Sequence, residues 1–392
     1  MMRDRLEQYF IGVVTGQKAG WGAALGKGCF RGLSWIYRIA VQARYLFYRI
    51  GIFKSRGSTA WIISVGNITL GGTGKTPVVE RLARLLAERG RKVAVVSRGY
   101  RRKTGPLIRR LREKLRGAPT TRIVSDGRQV LLNSRVAGDE PYMLASNLDG
   151  IPILVNRNRH KAVQYAVHRF KSDTIILDDG FQHLGVKRDL DIVLIDGGNP
   201  FGNGHIFPRG ILREPRHNLA RADLVLITKS EEADLEKLRG KIRAYNPQTE
   251  ILAGRYQPTY FTDVRTSLRS SLDLVRDTKV ATLAGIARPQ GFERILEDLG
   301  AILVQRHRFA DHYFYRPQEI IDILHSSSQE GAEMLITTEK DAARLPRLPR
   351  GGLPVFSLRV RIESREGEED FDRQLLTFLR KREQTRRRGN TG

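Results

Sequence analysis

The sequence is poor in three features that define whole classes of proteins. Its single cysteine, Cys29, excludes an internal disulfide and any metal site built from several cysteines. It has no uninterrupted apolar run of about 18 residues, so no ordinary transmembrane helix is predicted. It also has no secretory signal with a small-residue cleavage site, and we therefore expect the chain to stay on the cytoplasmic side.

Acidic residues are scarce relative to basic ones. The chain has 42 Asp and Glu against 68 Lys and Arg, which gives a formal net charge of +26. An excess of this size implies an anionic partner: nucleic acid, an anionic membrane surface or a phosphorylated substrate. Hydrophobic residues make up 40% and charged residues 28% of the 392 residues, which are globular values, and the length predicts two domains.

The most informative stretch is a glycine-rich loop between an apolar strand (residues 61–65) and a helical pattern (residues 78–89). Strand, glycine-rich loop and helix in this order are typical of a phosphate-binding P-loop. Lys75 would reach the β- and γ-phosphates and Thr76 would hold Mg²⁺. The alternative is a strand-to-helix turn with a chance lysine. The residues expected to bind nucleotide are Thr69, Leu70, Gly71, Gly72, Thr73, Gly74, Lys75 and Thr76, of which Thr69 replaces a glycine of the strict pattern.

A second apolar strand ends in two adjacent carboxylates, Asp178 and Asp179. An acidic residue at the tip of a strand beside a P-loop can bind Mg²⁺ directly or through water. The alternative is a strand that simply ends in an Asp-Asp-Gly turn. The P-loop upstream favours the metal-binding interpretation.

Several charged positions have two interpretations. Asp139 and Glu140 precede a helical pattern, so either could cap that helix or act as a general base. Arg98 follows a strand and could meet a phosphate or be a surface arginine. His312 adjoins Asp311 in a loop between strand and helix, but a lone histidine is more often structural.

Three further segments are unusual. The loop over residues 199–215 is long and offers arginines for phosphate binding, whereas residues 228–231 resemble a guanine-reading loop only weakly because Glu231 stands where Asp is needed. Residues 101–122 are densely basic. A solvated helical face is the favoured interpretation of that segment, since it lacks interleaved aromatics for stacking on nucleic-acid bases.

Residues 31–53 form a helical pattern with two contrasting sides. At about 100° per residue, Arg31, Arg38, Gln42 and Arg49 share one stripe, and a broad apolar arc lies opposite. Such a helix suits a membrane interface, although a surface helix packed on its own core gives the same pattern. The positive charge of the chain favours the membrane.

Alternating strands and helices predict an α/β fold, a doubly wound parallel sheet followed by a smaller α/β layer without its own P-loop. We place the linker near residues 253–262, where the pattern becomes polar and extended.

The motifs taken together resemble the tetraacyldisaccharide 4'-kinase (lipid A 4'-kinase) family over roughly residues 30–375. Those that carry the resemblance occur in order: Gly66-Asn-Ile-Thr69 with Gly71-Gly-Thr-Gly-Lys-Thr-Pro77, Ser97-Arg-Gly-Tyr100, Gly138-Asp-Glu-Pro141, Asp178-Asp-Gly-Phe-Gln-His183, Phe201-Gly-Asn-Gly204, Leu212-Arg-Glu-Pro215 and Thr337-Thr-Glu-Lys-Asp341. Thr69 matches that family's own variant of the P-loop.

The resemblance implies ATP- and Mg²⁺-dependent phosphorylation of the 4'-hydroxyl of tetraacyldisaccharide 1-phosphate, giving lipid IVA, by a monomer attached peripherally to the cytoplasmic face of the inner membrane. It implies a P-loop NTPase-like α/β/α sandwich with a second, smaller α/β/α domain. The expected segments are a membrane-associating helical segment (1–55), a P-loop kinase domain (56–254), a second domain closing the substrate cleft (255–380) and a disordered basic tail (381–392).

The resemblance also assigns roles to single residues. Asp139 matches the general base, assisted by a histidine that aligns with His312, although His307 is close enough to be confused with it. Lys75 is expected in catalysis, and Thr76, Asp178 and Asp179 are expected at the metal. The expected substrate and phosphate contacts are Arg98, Glu140, Gln182 and Arg213.

Two other classes compete with the lipid kinase. A P-loop GTPase or metallochaperone-type switch would need a guanine-reading Asp, which is not at position 231. An ATPase that binds nucleic acid is suggested by the net charge, but the absence of stacking aromatics in the basic runs argues against it.

Overall fold

A computed structural model of the protein describes residues 21–99, 121–364 and 370–389. The described helices are α1 (Trp21–Arg49), α2 (Lys75–Glu88), α3 (Ser134–Ala137), α4 (Asp139–Asn147), α5 (Arg159–Phe170), α6 (Leu235–Arg243), α7 (Pro289–Asp298), α8 (Pro317–Gln329), α9 (Glu339–Ala342) and α10 (Phe371–Gly389). The described strands are β1 (Trp61–Asn67), β2 (Val93–Ser97), β3 (Arg122–Ser125), β4 (Ile153–Val155), β5 (Thr174–Asp178), β6 (Leu190–Asp196), β7 (Leu224–Thr228), β8 (Glu250–Asp263), β9 (Arg269–Ser270), β10 (Lys279–Ala284), β11 (Ile302–Arg308), β12 (Met334–Thr338) and β13 (Val355–Ser364).

The first of two compact units is built on a parallel sheet. It comprises Met1–Lys75, Asp173–Arg255 and Ser364–Gly392 as far as they are described, and its strand order is β8-β7-β6-β1-β5. Strands β1, β5, β6 and β7 are buried along their whole length. This burial explains why their sequences are continuous apolar runs and do not alternate.

Helix α1 is attached to this unit through a narrow polar face. The Ser34 hydroxyl donates to the carbonyl of Ile206 at 2.8 Å and accepts from the Arg209 N–H at 2.9 Å. Two turns further on, the Gln42 amide donates to Asn218 at 3.2 Å. The broad apolar arc of the helix is exposed, so this arc does not pack on the core of its own unit.

Helix α10 contains residues that we expected to be disordered. The sequence pattern predicts a disordered tail from residue 381, but in the structure residues 381–389 continue the helix. Arg382 and Arg386 of this part pair with Asp223 and Asp189, each at 3.2 Å. These ion pairs, together with the buried apolar residues one to three turns earlier, account for the longer helix.

The second compact unit is discontinuous in sequence. It comprises Thr76–Ser172 and Tyr256–Glu363 as far as they are described. In its first segment β2 pairs in parallel with β4, and β4 pairs antiparallel with β3. In its second segment the parallel order is β11-β10-β12-β13, and the carboxyl end of β8 pairs antiparallel with β9.

Hydrogen bonds between polar and charged side chains join the two segments of the second unit. The Arg359 guanidinium donates to Glu80 of α2 and to Glu339 of α9, and the Asn147 amide donates to Glu339 at 3.4 Å. These contacts explain why the compact units differ from the continuous domains 56–254 and 255–380 expected from sequence. The predicted α/β fold itself is confirmed, and the predicted linker region lies within the long strand β8.

None of the helices in the described part of the chain is long and apolar enough to cross a membrane.

Candidate functional site

The glycine-rich loop has the strand–loop–helix geometry that its sequence predicts. Strand β1 ends at Asn67 and helix α2 begins at Lys75. Gly71 and Gly74 have φ angles of +104° and +71°, in the left-handed region that favours glycine. The chain therefore turns directly before the amino-terminal end of α2. The N–H groups at such a helix end favour a bound anion such as phosphate.

Thr69 occupies its position without backbone strain. It is buried, is not among the residues with positive φ, and forms an isolated antiparallel bridge with Leu212. Its carbonyl also accepts a hydrogen bond from the Asn67 amide at 2.9 Å. A glycine is therefore not needed here, which explains the departure from the strict P-loop pattern.

Two cations converge on the Asp179 carboxylate beside the loop. Lys75 Nζ lies 3.3 Å from Asp179 Oδ1, and Arg213 Nη1 donates to Oδ1 and Oδ2 at 2.8 and 3.0 Å. Burial alone would raise the pKa of Asp179, but the charges of Lys75 and Arg213 outweigh it and lower this pKa to about 2. The cluster thus holds an ionised carboxylate and two donors suited to phosphate oxygens.

Polar groups next to this cluster fix its geometry. The Gln182 amide donates to the Asn67 carbonyl at 2.8 Å and to the Glu214 carboxylate at 2.6 Å. Lys75 Nζ is also 3.3 Å from the Asn67 side-chain oxygen. The structure therefore brings together Lys75, Asp179, Gln182 and Arg213, which come from three separate stretches of the sequence.

The residues predicted to bind metal form a set that fits Mg²⁺. Asp178 is the buried last residue of β5 and lies in register with Val65 of β1, and Asp179 follows it. The described residues contain no group of three or more His, Cys, Asp or Glu that could hold a metal by itself. Mg²⁺ usually takes only one or two carboxylates and completes its shell with phosphates and water, so this residue set suits that mode of binding.

A second polar cluster lies in the second unit around Asp139, the first residue of α4. Its carboxylate is buried, and its Oδ2 accepts hydrogen bonds from His312 Nδ1 at 2.7 Å and from Arg344 Nε at 2.9 Å. No side-chain hydrogen bond caps the amino terminus of α4. The capping interpretation of Asp139 is therefore wrong, and the carboxylate is directed at the histidine.

The contacts of His312 fix its tautomer. Lys340 Nζ lies 3.3 Å from His312 Nε2, and an ammonium group can only donate. Nε2 must then accept, which leaves the hydrogen on Nδ1 to be donated to Asp139. His307 instead contacts Gln305 and Ser327 through Nε2, at 3.0 and 3.1 Å, so the structure distinguishes the two histidines.

The ionisation of Asp139 follows from its neighbours. Burial alone would raise the pKa of this carboxyl, but the hydrogen bond from His312 and the charges of Arg344 and Lys340 hold it well below its usual range. Lys340 also lies 3.6 Å from Glu140 and 3.3 Å from Asp311. Glu140 thus belongs to the same charged cluster as the carboxylate that precedes it.

Sequence reasoning missed two members of this cluster, Lys340 and Arg344. Lys340 lies within the Thr337–Asp341 motif, which had no residue roles assigned to it. Arg344 is three residues beyond Asp341, a spacing typical of neighbours on a helical turn, and this was the signal available in the sequence.

Other predicted residues remain apart from these clusters. Arg98 is exposed just after β2, and no hydrogen bond or ion pair joins it to another residue in the described part of the chain. The basic segment was predicted over residues 101–122, and its residues 101–120 lie outside the described part of the chain. In the weak guanine-reading motif, Lys229 pairs with Asp196 at 2.8 Å.

Known proteins are similar to this chain over most of its length. The sequence model of the family described as tetraacyldisaccharide-1-P 4'-kinase matches residues 28–380. The tetraacyldisaccharide 4'-kinase of Halothermothrix orenii is 37% identical over 358 residues, covering 88% of this chain and 90% of its own. That of Desulfatibacillum aliphaticivorans is 38% identical over 350 residues, covering 86% and 90%.

A solved structure is similar over nearly the same extent. The crystal structure of LpxK from Aquifex aeolicus in complex with ATP is 25% identical, covers 91% of this chain and 99% of its own, and superposes with a TM-score of 0.66. With the family match spanning both compact units, the chain belongs to the tetraacyldisaccharide-1-P 4'-kinase family.

Proposed function

We propose that this protein transfers the γ-phosphoryl group of ATP to the 4'-hydroxyl of tetraacyldisaccharide 1-phosphate. The observation that carries the proposal is the hydrogen-bonded pair of Asp139 and His312, which are 173 residues apart in the sequence. A kinase of this kind needs a base for the acceptor hydroxyl as well as a phosphate-binding loop. In a chain of this family, the two clusters supply both.

Asp139 is the proposed proton acceptor. The 4'-oxygen forms a bond to the γ-phosphorus, the bond between that phosphorus and the leaving oxygen of ADP breaks, and the hydroxyl proton passes to the carboxylate. Because its pKa is held low, Asp139 is ionised throughout the physiological pH range. A weak base suffices because the transition state of phosphoryl transfer is loose and leaves little covalent chemistry for the protein to do.

Lys75 and Arg213 are the proposed phosphate ligands. Each already binds the Asp179 carboxylate, so each presents a cation at the end of the glycine-rich loop. Asp178, Asp179 and Thr76 would hold Mg²⁺, which supplies charge neutralisation at the phosphates when it is bound. Gln182, Glu140 and Arg98 remain proposed contacts of substrate or phosphate.

We also propose that the protein works as a monomer attached peripherally to the cytoplasmic face of the inner membrane. The apolar arc of helix α1 supports this, because Trp35, Ile36 and Ile50 have exposed fractions of 65%, 62% and 57%. A helix with aromatic and aliphatic residues on one side and arginines on another is suited to an anionic interface. A lipid substrate would be reached from such a surface.

The test is phosphoryl transfer to tetraacyldisaccharide 1-phosphate in detergent micelles, with ATP and GTP compared as donors and Lys75→Ala as the control. We expect transfer from ATP and its loss in Lys75→Ala. Transfer from neither donor by folded protein would refute the proposal. GTP hydrolysis without transfer would instead favour a switch protein.

A further inference from the structure

A buried arginine holds the Asp139 carboxylate from within the second unit. The Arg344 side chain has an exposed fraction of 0%. Its Nε donates to Asp139 Oδ2 at 2.9 Å, while its Nη1 donates to Asp341 Oδ1 and to the Gly285 carbonyl, both at 3.1 Å. A guanidinium fixed at three acceptors has little freedom to turn, so its position dictates that of the carboxylate.

Asp341 is itself held in place by several donors. The Tyr315 hydroxyl donates to its Oδ1 at 2.9 Å, and the Thr338 hydroxyl and the Gly285 N–H donate to its Oδ2 at 2.6 and 3.1 Å. The carboxylate is fully buried, yet these donors and Arg344 satisfy it. The chain of contacts therefore runs from Tyr315 through Asp341 and Arg344 to Asp139.

The donors to Asp139 share one oxygen atom. His312 Nδ1 and Arg344 Nε both bind Oδ2, whereas Oδ1 accepts no side-chain hydrogen bond from any residue that the structure describes. Two donors at Oδ2 fix the rotation of the carboxylate about its Cβ–Cγ bond. The oxygen left to accept a hydrogen bond is then always Oδ1.

We propose that Arg344 is a positioning residue for phosphoryl transfer, which holds Asp139 so that Oδ1 is presented to the acceptor hydroxyl. This inference rests on the proposed function, because it assumes that Asp139 accepts the proton. Asp341 and Tyr315 act one step further away by fixing Arg344.

The charge of Arg344 has a second effect, which makes the proposal testable through pH. The titratable and charged groups around Asp139 are His312 and Arg344 in contact with it, Lys340 and Asp341 of helix α9, and Glu140 and Asp311 around Lys340. The neighbouring charges of α3 and β3, Arg135 and Arg122, form no ion pair with Asp139. Removing a neighbouring cation raises the pKa of a carboxyl by about 1 to 3 units. In a plot of kcat against pH, the acidic limb, where kcat falls as the carboxylate is protonated, therefore moves to higher pH.

The experiment measures kcat against pH for wild type, Arg344→Gln, Arg344→Lys and Arg308→Gln. Arg308 is the matched control, because it pairs with Glu293 in the same unit, away from Asp139. We expect Arg344→Gln to lower kcat by about 10²-fold, as a misplaced catalytic group does. We expect its acidic limb to move to higher pH, with the KM for ATP unchanged.

The lysine variant separates charge from geometry. Arg344→Lys keeps the cation but lacks the planar fork by which Nε and Nη1 bind Asp139 and Asp341. Its acidic limb should therefore stay near that of wild type while kcat falls. A wild-type pH profile and a wild-type kcat per folded molecule in both variants would overturn the proposal.

If Arg344→Gln does not fold, Tyr315→Phe replaces it. We expect the acidic limb of Tyr315→Phe to move in the same direction by a smaller amount. An unchanged profile would count against the proposal. Failure of wild type to transfer phosphate would instead refute the proposed function.

Discussion

At the scale of single residues, the two histidines near the end of β11 give a matched comparison. His312 bonds to Asp139 at 2.7 Å, whereas His307 bonds to Gln305 and Ser327. We predict that His312→Ala lowers kcat by about 10²-fold, because it removes one of the donors that orient Asp139, the proposed base. His307→Ala should change kcat by less than about threefold. Steady-state kinetics on both variants provides the measurement, and equal losses in the two would contradict the assignment.

Asp139 should also make the stability of the protein depend on pH. An unfolded Asp titrates near pH ~3.9, and the pKa of Asp139 in the folded protein lies well below this. The folded state therefore binds fewer protons in this range, so the stabilisation is present above about pH 4 and is lost as the pH falls further.

This prediction is checked by urea unfolding of wild type and Asp139→Asn between about pH 7 and pH 3. The difference in unfolding free energy should be constant above about pH 5 and should shrink below about pH 4. Asp298→Asn, at an exposed carboxylate, is the control and should differ little from wild type at any pH. A difference for Asp139→Asn that grows as the pH falls would contradict a lowered pKa in the folded protein.

At the scale of elements, helix α1 is informative because its docked face is narrow. Ser34 and Gln42 attach it, and the apolar residues around them are exposed. We predict that replacing Trp35, Ile36 and Ile39 together by serine weakens binding to anionic vesicles by about tenfold or more, since burial of large apolar side chains drives such binding.

Vesicle sedimentation measures this effect, and Leu268→Ser is the control. Leu268 has an exposed fraction of 69% but lies in the second unit, so its loss should leave sedimentation unchanged. Unchanged sedimentation of the triple variant would show that the apolar arc of helix α1 is not the membrane contact. The stripe of Arg31, Arg38 and Arg49 on the same helix would then be tested by itself.

Helix α10 shows what periodicity predicts and what it does not. Phe371, Leu375, Phe378 and Leu379 are buried and have the spacing of one helical face, a pattern that was available in the sequence. Beyond residue 380 the helix has no such pattern, and ion pairs with Asp189 and Asp223 extend it. Partners so distant in sequence cannot be found from the local pattern, which is why disorder was predicted there.

At the scale of the whole molecule, the same distinction separates what could be predicted of the site. The P-loop was predictable because one contiguous stretch contains its strand, its glycines and Lys75. The pairing of Asp139 with His312 was expected only from the family resemblance. Arg344 was missed, because its contact with Asp139 spans 205 residues and depends on how the second unit folds. The discontinuous units were missed for the same reason, since the contacts that define them are not local.

In the proposed function, the cluster of Lys75, Asp179 and Arg213 beside the glycine-rich loop binds the nucleotide, and Asp139 serves only the transfer step. The most direct measurement compares ATP affinity with single-turnover phosphoryl transfer in wild type and Asp139→Asn, with Lys75→Ala beside them. We predict that Asp139→Asn binds ATP within about twofold of wild type but transfers phosphate about 10²- to 10⁴-fold more slowly, whereas Lys75→Ala loses both. Transfer by Asp139→Asn at the wild-type rate would contradict this claim.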